Sequence, residues 1–390
     1  MIDYHELMSI LSVPRPNGSH AERETGRALQ EWLTRHAIPY RVQTFQLYPY
    51  FFECVGLWLI LSRTLLAVAV WQKWGWLTLV IALLGLLGGT LDVAANLPLV
   101  TWPGVRRAEN ILIEFEPKDP KQEIIICAHY DTKTEVLDHH KRMFFLRRLK
   151  FGIGLTALLG FCGPLQAVLA NSAWAEVAYW AGVVLTVPML LLAWGFGLHL
   201  SLGRLLEPSQ GAVDNGAACA IILSLAEQLA AGKILFDDQK ITLALFTGEE
   251  VNMQGSRAYV SQRQWQLPTA ALNLEAMAQD GETIYFESDG TVFRLLPTAE
   301  TLNQAIAAAV KGVTGHSPQP YGPVTSDGGS FLAAGIPATT IATVDSRLGV
   351  TGFHSPADNL DRVVFERLPQ WVEILKVFLS QIQRQRKEQK

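Results

Sequence analysis

Charge is scarce in this chain. Asp, Glu, Lys and Arg make up 17% of its 390 residues while 49% are hydrophobic, which excludes a uniformly solvated globular protein unless the apolar excess is gathered into a few segments. Cysteine is scarcer: Cys54, Cys127, Cys162 and Cys219 form no CxxC pair. A disulfide framework or thiolate zinc knuckle is therefore not expected, and all four read as buried thiols. A net charge of −4 and the lack of a basic face interleaved with aromatics argue against nucleic acid as a partner. No cleavable amino-terminal signal is visible, because the first 45 residues are polar and amphipathic.

The apolar excess is concentrated. Residues 52–71, 75–98, 151–170 and 174–200 are four apolar stretches long enough to cross a hydrocarbon core of about 30 Å. They arrive as two close pairs, with Trp71, Trp74, Trp76 and Trp102 near their ends, as interfacial aromatics lie. Buried core helices are the alternative, but the pairs interrupt an otherwise continuous pattern. The expectation is a multi-pass membrane protein. Two transmembrane hairpins, 51–101 and 151–200, are inserted into one discontinuous domain of residues 1–50, 102–150 and 201–390, which has the size of a single enzyme domain. Each insertion crosses twice, so the three pieces share one side of the bilayer. Arg106, Arg107, Lys141, Arg142, Arg147, Arg148, Lys150 and Arg204 flank the stretches on that side against Lys73 on the other, which predicts a cytoplasmic domain. The run HHKRMFFLRRLK reads as a juxtamembrane segment touching anionic lipid, with His139 and His140 interfacial. Arg63 lies inside the first stretch, where an arginine costs about 2.5–3.5 kcal/mol; Asp92 on the second is the nearby acid for it.

The polar remainder carries a second pattern. Residues 124–128, 241–247, 270–274 and 336–342 are short, nearly continuous apolar runs, as in parallel strands buried on both faces. They predict an α/β fold with a mixed, mainly parallel central sheet flanked by helices. Three of the runs end at candidate ligands: His129 and Asp131 in IIICAHYDT, Glu249 and Glu250 in LALFTGEEV, and Glu275 in AALNLEA. Asp214 in GAVDNGA precedes the helical run AIILSLAEQLA, and His354 follows in GFHSPADN. The crevice beyond the carboxyl ends of such strands is where sites are built. Zinc takes imidazole nitrogen and carboxylate oxygen, and two ions sharing a bridging carboxylate need about five such residues plus a base. Any one of these residues alone is more often an ordinary solvated or satisfied side chain; the set carries the argument. Gly211, Gly216 and Gly248 suit the turns around Asp214 and the glutamate pair. Ser19 and Glu22 form a capping-box pattern ahead of a helix, and an amphipathic helix is expected near 364–382.

As an ordered set, these motifs resemble the co-catalytic di-zinc aminopeptidases of metallopeptidase family twenty-eight. That family also holds glutamate carboxypeptidases, glutaminyl cyclase relatives and inactive relatives such as transferrin receptor and nicastrin. The resemblance covers residues 1 to about 50, 106–133 and 207–375, including SVPRPNGSHAERETGRALQEWL and SDGGSFLAAGIPATTI. It implies a zinc exopeptidase-like fold and two Zn ions, one held by His129 and Glu275, the other by Glu250 and His354, with Asp214 bridging. Glu249 is then the general base and Asp131 the partner of His129. Position 275 is Glu where many relatives have Asp, and Gly328 stands where some carry His; Tyr321 and Asp327 are further pocket candidates. The implied activity is that of a membrane-anchored aminopeptidase acting on peptide substrates. The second hairpin begins shortly after Asp131 and returns just before Asp214, which suggests apolar or membrane-derived peptides arriving from the lipid bilayer. Carboxypeptidase action, glutaminyl cyclase-like acyl transfer, and a catalytically silent scaffold or receptor are the alternatives.

Overall fold

The computed structural model describes residues 2–95, 97–101, 104–234, 238–349 and 352–388; Trp102 lies outside them. The chain opens with helices α1 (Tyr4–Leu11) and α2 (His20–Arg35) and strand β1 (Arg41–Leu47), then α3 (Phe51–Trp71), α4 (Leu77–Ala95), β2 (Arg106–Phe115) and β3 (Gln122–His129). Helices α5 (His139–Arg147), α6 (Leu149–Val168), α7 (Trp174–Leu202) and α8 (Ala218–Ala230) come next, followed by β4 (Gln239–Phe246), α9 (Gln254–Gln262), β5 (Thr269–Glu275), β6 (Gly281–Thr291) and β7 (Arg294–Pro297). The chain ends with α10 (Glu300–Thr314), β8 (Gln319–Val324), α11 (Asp327–Ala333), β9 (Ala338–Asp345) and α12 (Arg367–Glu388). Two compact units result: residues 1–49, 105–134 and 207–390, and residues 50–104 and 135–206.

The first unit is a mixed α/β structure. Its nine-stranded sheet runs β1-β2-β4-β3-β5-β9-β6-β7, with β8 paired to β6. The four apolar runs become β4, β3, β5 and β9, which are adjacent and mutually parallel, while β1, β2, β6 and β7 join antiparallel at the two sides. Alternation along the strands explains why these runs are apolar at every position. Ile124, Ile126 and Ala128 face a core shared with α1, α2, α8, α10 and α12, and Ile125 and Cys127 face a second core under α9 and α11. The carboxyl-terminal helix packs on this unit, burying Leu368, Trp371, Leu375 and Phe378 in the larger core.

Helix α2 starts as its capping residues predict, with one difference. Ser19 Oγ accepts from Glu22 N at 3.0 Å, but the Glu22 carboxylate reaches back to Gly18 N at 2.6 Å rather than to Ser19. Its other oxygen takes the Thr247 hydroxyl at 2.5 Å, which ties the helix start to the end of β4. The segments that leave this unit also return close to where they left. Leu47 is paired with Arg106, and Ser209 N donates to Thr134 Oγ1 at 3.0 Å. Chain can therefore be inserted at either point without disturbing the sheet.

The second unit is helical. Helices α3, α4, α6 with the preceding α5, and α7 are four helices long and apolar enough to cross a membrane. Leu66, Val70, Ile81, Leu159 and Met189 form its core, and small residues allow close approach: between α3 and α7, a Cβ on Gly56 would lie 2.6 Å from the Gly197 carbonyl oxygen and one on Gly197 2.8 Å from that of Gly56. Trp71, Trp74 and Trp76 are exposed at the α3–α4 turn. Cys54 departs from expectation, being only half-buried, whereas Cys127, Cys162 and Cys219 are buried. The Arg63–Asp92 pair is not made. Asp92 instead accepts Thr101 Oγ1 at 2.7 Å and Val100 N at 3.0 Å, because the chain turning out of α4 offers it nearer donors.

Candidate metal centre

Five segments deliver the candidate ligands, three of them at the carboxyl ends of the parallel strands β3, β4 and β5. His129 is the last residue of β3 and Glu275 the last of β5. Glu249 and Glu250 follow β4 in a single turn entered through Gly248 (φ 78°), a left-handed conformation that favours glycine. His354 lies in the segment after β9 with φ 55°. Asp214 comes from the turn Ala212–Ala217 that leads into α8. Gly211 opens that turn with φ 60°, and a Cβ there would run into Thr132 Cγ2 and lie 2.8 Å from the Asp214 carbonyl. The Asp214–Asn215 peptide is cis.

These side chains converge. His129 Nε2 stands 3.2 Å from Asp214 Oδ1 and 3.4 Å from Glu275 Oε2. His354 Nε2 stands 3.2 Å from Asp214 Oδ2 and 2.9 Å from Glu250 Oε1. One oxygen of Asp214 thus faces each histidine. Two donor groups follow, His129–Asp214–Glu275 and Asp214–Glu250–His354, with the atoms of each within 4.8 Å of one another. Glu249 belongs to neither; its Oε2 is 3.9 Å from His129 Nε2, although it forms a third group with His129 and Glu250.

Electrostatics in the cluster are unbalanced. Burial alone would lower the His129 pKa, but Glu275, Asp131 and Asp214 outweigh it and hold it well above the usual value. Burial pushes Asp214 up, yet hydrogen bonds and charge from His129 and His354 hold it far below the carboxylate range. Glu249 is raised well above that range, by burial first and then by Glu250 and Glu275, against the pull of His129. Burial also raises Glu275, with His129 opposing. Four carboxylates face two imidazoles, and among the described residues no lysine or arginine pairs with Asp214, Glu249, Glu250 or Glu275. Cations would balance such a set, and imidazole nitrogen with carboxylate oxygen is the donor chemistry of zinc. The residues fit two such ions.

A second layer of residues holds the first. His129 Nδ1 lies 3.3 Å from the backbone carbonyl of the fully buried Asp131 and 3.4 Å from its Oδ1, while Oδ1 also accepts from Glu249 N at 3.4 Å and Oδ2 from Asn17 Nδ2 at 2.7 Å and Glu250 N at 3.0 Å. Burial raises the Asp131 pKa, but these donors prevail and hold it low. Glu275 is held by Asn273 Nδ2 (2.9 Å, Oε1) and Asn215 Nδ2 (3.1 Å, Oε2), which orients its longer arm. Asp358 accepts from Val213 N at 2.8 Å and Asp214 N at 3.2 Å. The buried Arg15 donates to Gln210 O (2.7 Å), Gly211 O (2.9 Å) and Tyr130 O, joining the Asp214 loop to the His129 strand end. Sequence reasoning missed Asn17, Asn215, Asn273, Asp358 and Arg15. Only Asn273 carried a signal, since two residues along a strand share a face.

The SDGG segment leaves no room for a side chain at its first glycine. A Cβ at Gly328 would run into Thr340 Oγ1 and lie 2.7 Å from Asp289 Oδ2, so no histidine fits there. Asp327 is fully buried and raised by that burial, with His129 opposing. Tyr321 lies on β8, 42% exposed and edge-on to Phe286, and the structure does not bring it into the cluster.

Residues 196–379 match the model of peptidase family M28. No curated protein sequence matches the chain. Among solved structures, the aminopeptidase from Aneurinibacillus sp. strain AM-1 is 15% identical, with 97% of this chain and 92% of that chain covered and a TM-score of 0.56. A zinc aminopeptidase from Bacillus subtilis is 13% identical over 97% and 94%, with a TM-score of 0.56. A glutaminyl cyclase from Porphyromonas gingivalis is 13% identical over 97% and 95%, with a TM-score of 0.55. The fold is that of the zinc aminopeptidases, and the glutaminyl cyclases share it.

Proposed function

We propose that this chain is a zinc-dependent exopeptidase, an aminopeptidase, anchored in a bilayer by α3, α4, α6 and α7 with its α/β unit on the cytoplasmic side. The family M28 match supports a hydrolase, and the single observation that carries the finer reading is the placement of Asp214, one oxygen toward each of two His–Glu pairs. Two zinc ions held by His129, Asp214 and Glu275 and by Asp214, Glu250 and His354 would supply Lewis acidity at the scissile carbonyl and lower the pKa of the attacking water.

The remaining chemistry belongs to the protein. Glu249, beside a ligand yet outside both donor groups, accepts the proton of the attacking water and passes it to the leaving amine. Asp131 fixes the His129 ring through Nδ1, so Nε2 presents its lone pair to the site. The basic residues flanking the helix pairs support the cytoplasmic orientation. Thr134 and Glu207, where the second helical insertion leaves and returns, lie three residues after Asp131 and seven before Asp214, which favours apolar or membrane-derived peptides as substrates.

The test is mass spectrometry of a peptide mixture with free and acetylated amino termini, incubated with zinc-loaded wild type and Glu249→Gln protein in detergent. Stepwise loss of amino-terminal residues from free peptides only, reduced about 10²–10⁴-fold in the variant with zinc content unchanged, is the expected result. The glutaminyl cyclase neighbours favour a second reading, which the same mixture separates. Loss of ammonia from peptides beginning with glutamine, without shortening, would identify a cyclase.

A further inference from the structure

Among the described residues, Arg63 is a cation without a counter-charge of its own. It sits twelve residues into α3, roughly 18 Å along the helix at about 1.5 Å per residue, and is only 7% exposed. Its hydrogen-bonding side chain is Ser62, whose Oγ lies 2.8 Å from Nη1. The helical unit contains five acids, and each is engaged elsewhere. Glu53 holds Arg204 at 2.5 Å, Glu135 holds Arg142 at 2.7 Å, Asp138 holds Lys141 at 2.9 Å and Glu176 holds Lys73 at 3.2 Å. Asp92 takes Thr101 and Val100. Eight lysines and arginines stand against these five acids, so the unit has no spare acid for Arg63.

A cavity lies where it would bind. About 60 Å³ in volume, it is lined by both Arg63 and Arg148, with Leu59, Ile153, Leu192 and Phe196 among its walls. A water needs about 10–15 Å³ of such space, so the cavity admits a group of several heavy atoms. Arg148 is exposed at the start of α6, over the Phe144 ring. Arg63 Nη1 lies 2.8 Å from where a Cβ on Gly85 of α4 would stand, and Leu59 carries the cavity wall toward the start of α3. Gly56 meets Gly197 there, and Phe145 stacks on Phe196 at 5.7 Å, so the ends of α3 and α7 and the α5–α6 junction share one end of the bundle. An exposed arginine thus marks the mouth and a buried one the floor, between apolar walls.

We propose that this cavity binds the phosphate group of an anionic phospholipid, with Arg148 and Arg63 as its two cationic contacts. Two guanidinium groups match phosphate oxygens. The apolar walls favour a headgroup that brings acyl chains over a free ion, and this choice of source rests on the reading that the helices span a bilayer.

Native mass spectrometry of the full chain in detergent, with added phosphatidylglycerol or phosphatidylcholine, tests it. Wild type retains phosphatidylglycerol at least tenfold better. Arg63→Leu loses that preference, and so does Gly152→Leu, which fills the cavity while keeping both arginines; a Cβ at Gly152 meets only Leu192 Cδ1, at 3.9 Å, so this variant is expected to fold. Equal retention of the two lipids, or a preference unchanged in both variants, overturns the site. Displacement of phosphatidylglycerol by an equal concentration of inorganic phosphate overturns the lipid as the source, as does a chain that stays soluble without detergent.

Discussion

Asp131→Asn is the substitution whose cost the structure lets us work out atom by atom. The carboxylate faces four donor atoms, two at each oxygen, the His129 nitrogen being shared with the backbone carbonyl of the same residue, and an amide keeps one acceptor atom. The new NH₂ group must therefore face two donors that it cannot accept. Placing it at Oδ2 gives up Asn17 Nδ2 at 2.7 Å and Glu250 N at 3.0 Å. Placing it at Oδ1 gives up His129 Nδ1 and Glu249 N, both at 3.4 Å, and is the cheaper choice. Hydrogen bonds to a charged group contribute about 1.5–3 kcal/mol each, so two lost bonds cost roughly 3–6 kcal/mol, the lower end applying to the longer pair. The functional consequence falls on His129. Nδ1 keeps the backbone carbonyl of residue 131 at 3.3 Å but loses its charged partner, and weakening such a second-layer contact lowers metal affinity about 10–100-fold. Zinc affinity by chelator competition, together with thermal unfolding followed by tryptophan fluorescence in detergent, reads both effects. Zinc affinity within twofold of wild type would refute the assignment of Asp131 to His129.

Further outcomes follow from the same contacts. Arg15→Lys replaces a guanidinium that reaches Gln210, Gly211 and Tyr130 carbonyls with a point donor that cannot span them; two lost charged bonds predict about 3–6 kcal/mol of destabilisation and reduced zinc content, checked by unfolding and metal analysis. Gly328→Ala forces a methyl against Thr340 and Asp289 and should cost about 1–3 kcal/mol, seen as a lowered midpoint. Glu22 is pushed from 4.5 to about 7, by burial first, with the Thr247 and Gly18 hydrogen bonds opposing. Its folded state holds the proton more tightly than the unfolded chain, so this contribution is complete below about 4.5 and is lost as pH rises through about 7, by ~3 kcal/mol in all. Glu22→Gln should remove that part of the decline; identical pH profiles of unfolding for the two proteins would sink the argument.

Strands and long helices were legible in the sequence because both are written locally. A run buried on both faces is apolar at successive positions, as at Ile124–Cys127, and a stretch such as Leu77–Ala95 declares itself by length and lack of charge. Residue type also picked out His129, Asp214, Glu249, Glu250, Glu275 and His354, because each stands where an apolar or small-residue run ends. Their grouping was not written there. Strand order β4-β3-β5-β9 departs from chain order, and it decides which ligand lies beside which. The supporting contacts were further out of reach: Asn17 to Asp131, Arg15 to Gly211 and Asp358 to Val213 each join residues more than a hundred positions apart, and nothing in the spacing of polar residues on a loop says which distant donor it will meet. The same limit applied to Arg63, for which the sequence offered Asp92 by proximity alone. Periodicity and hydrophobicity, summed over a few residues, determined which segments are strands, which are helices and which residues are chemically able to hold zinc. Only the tertiary structure decided the pairing of buried polar groups, since a buried charge takes the partner nearest in space, and that is a property of the packed chain.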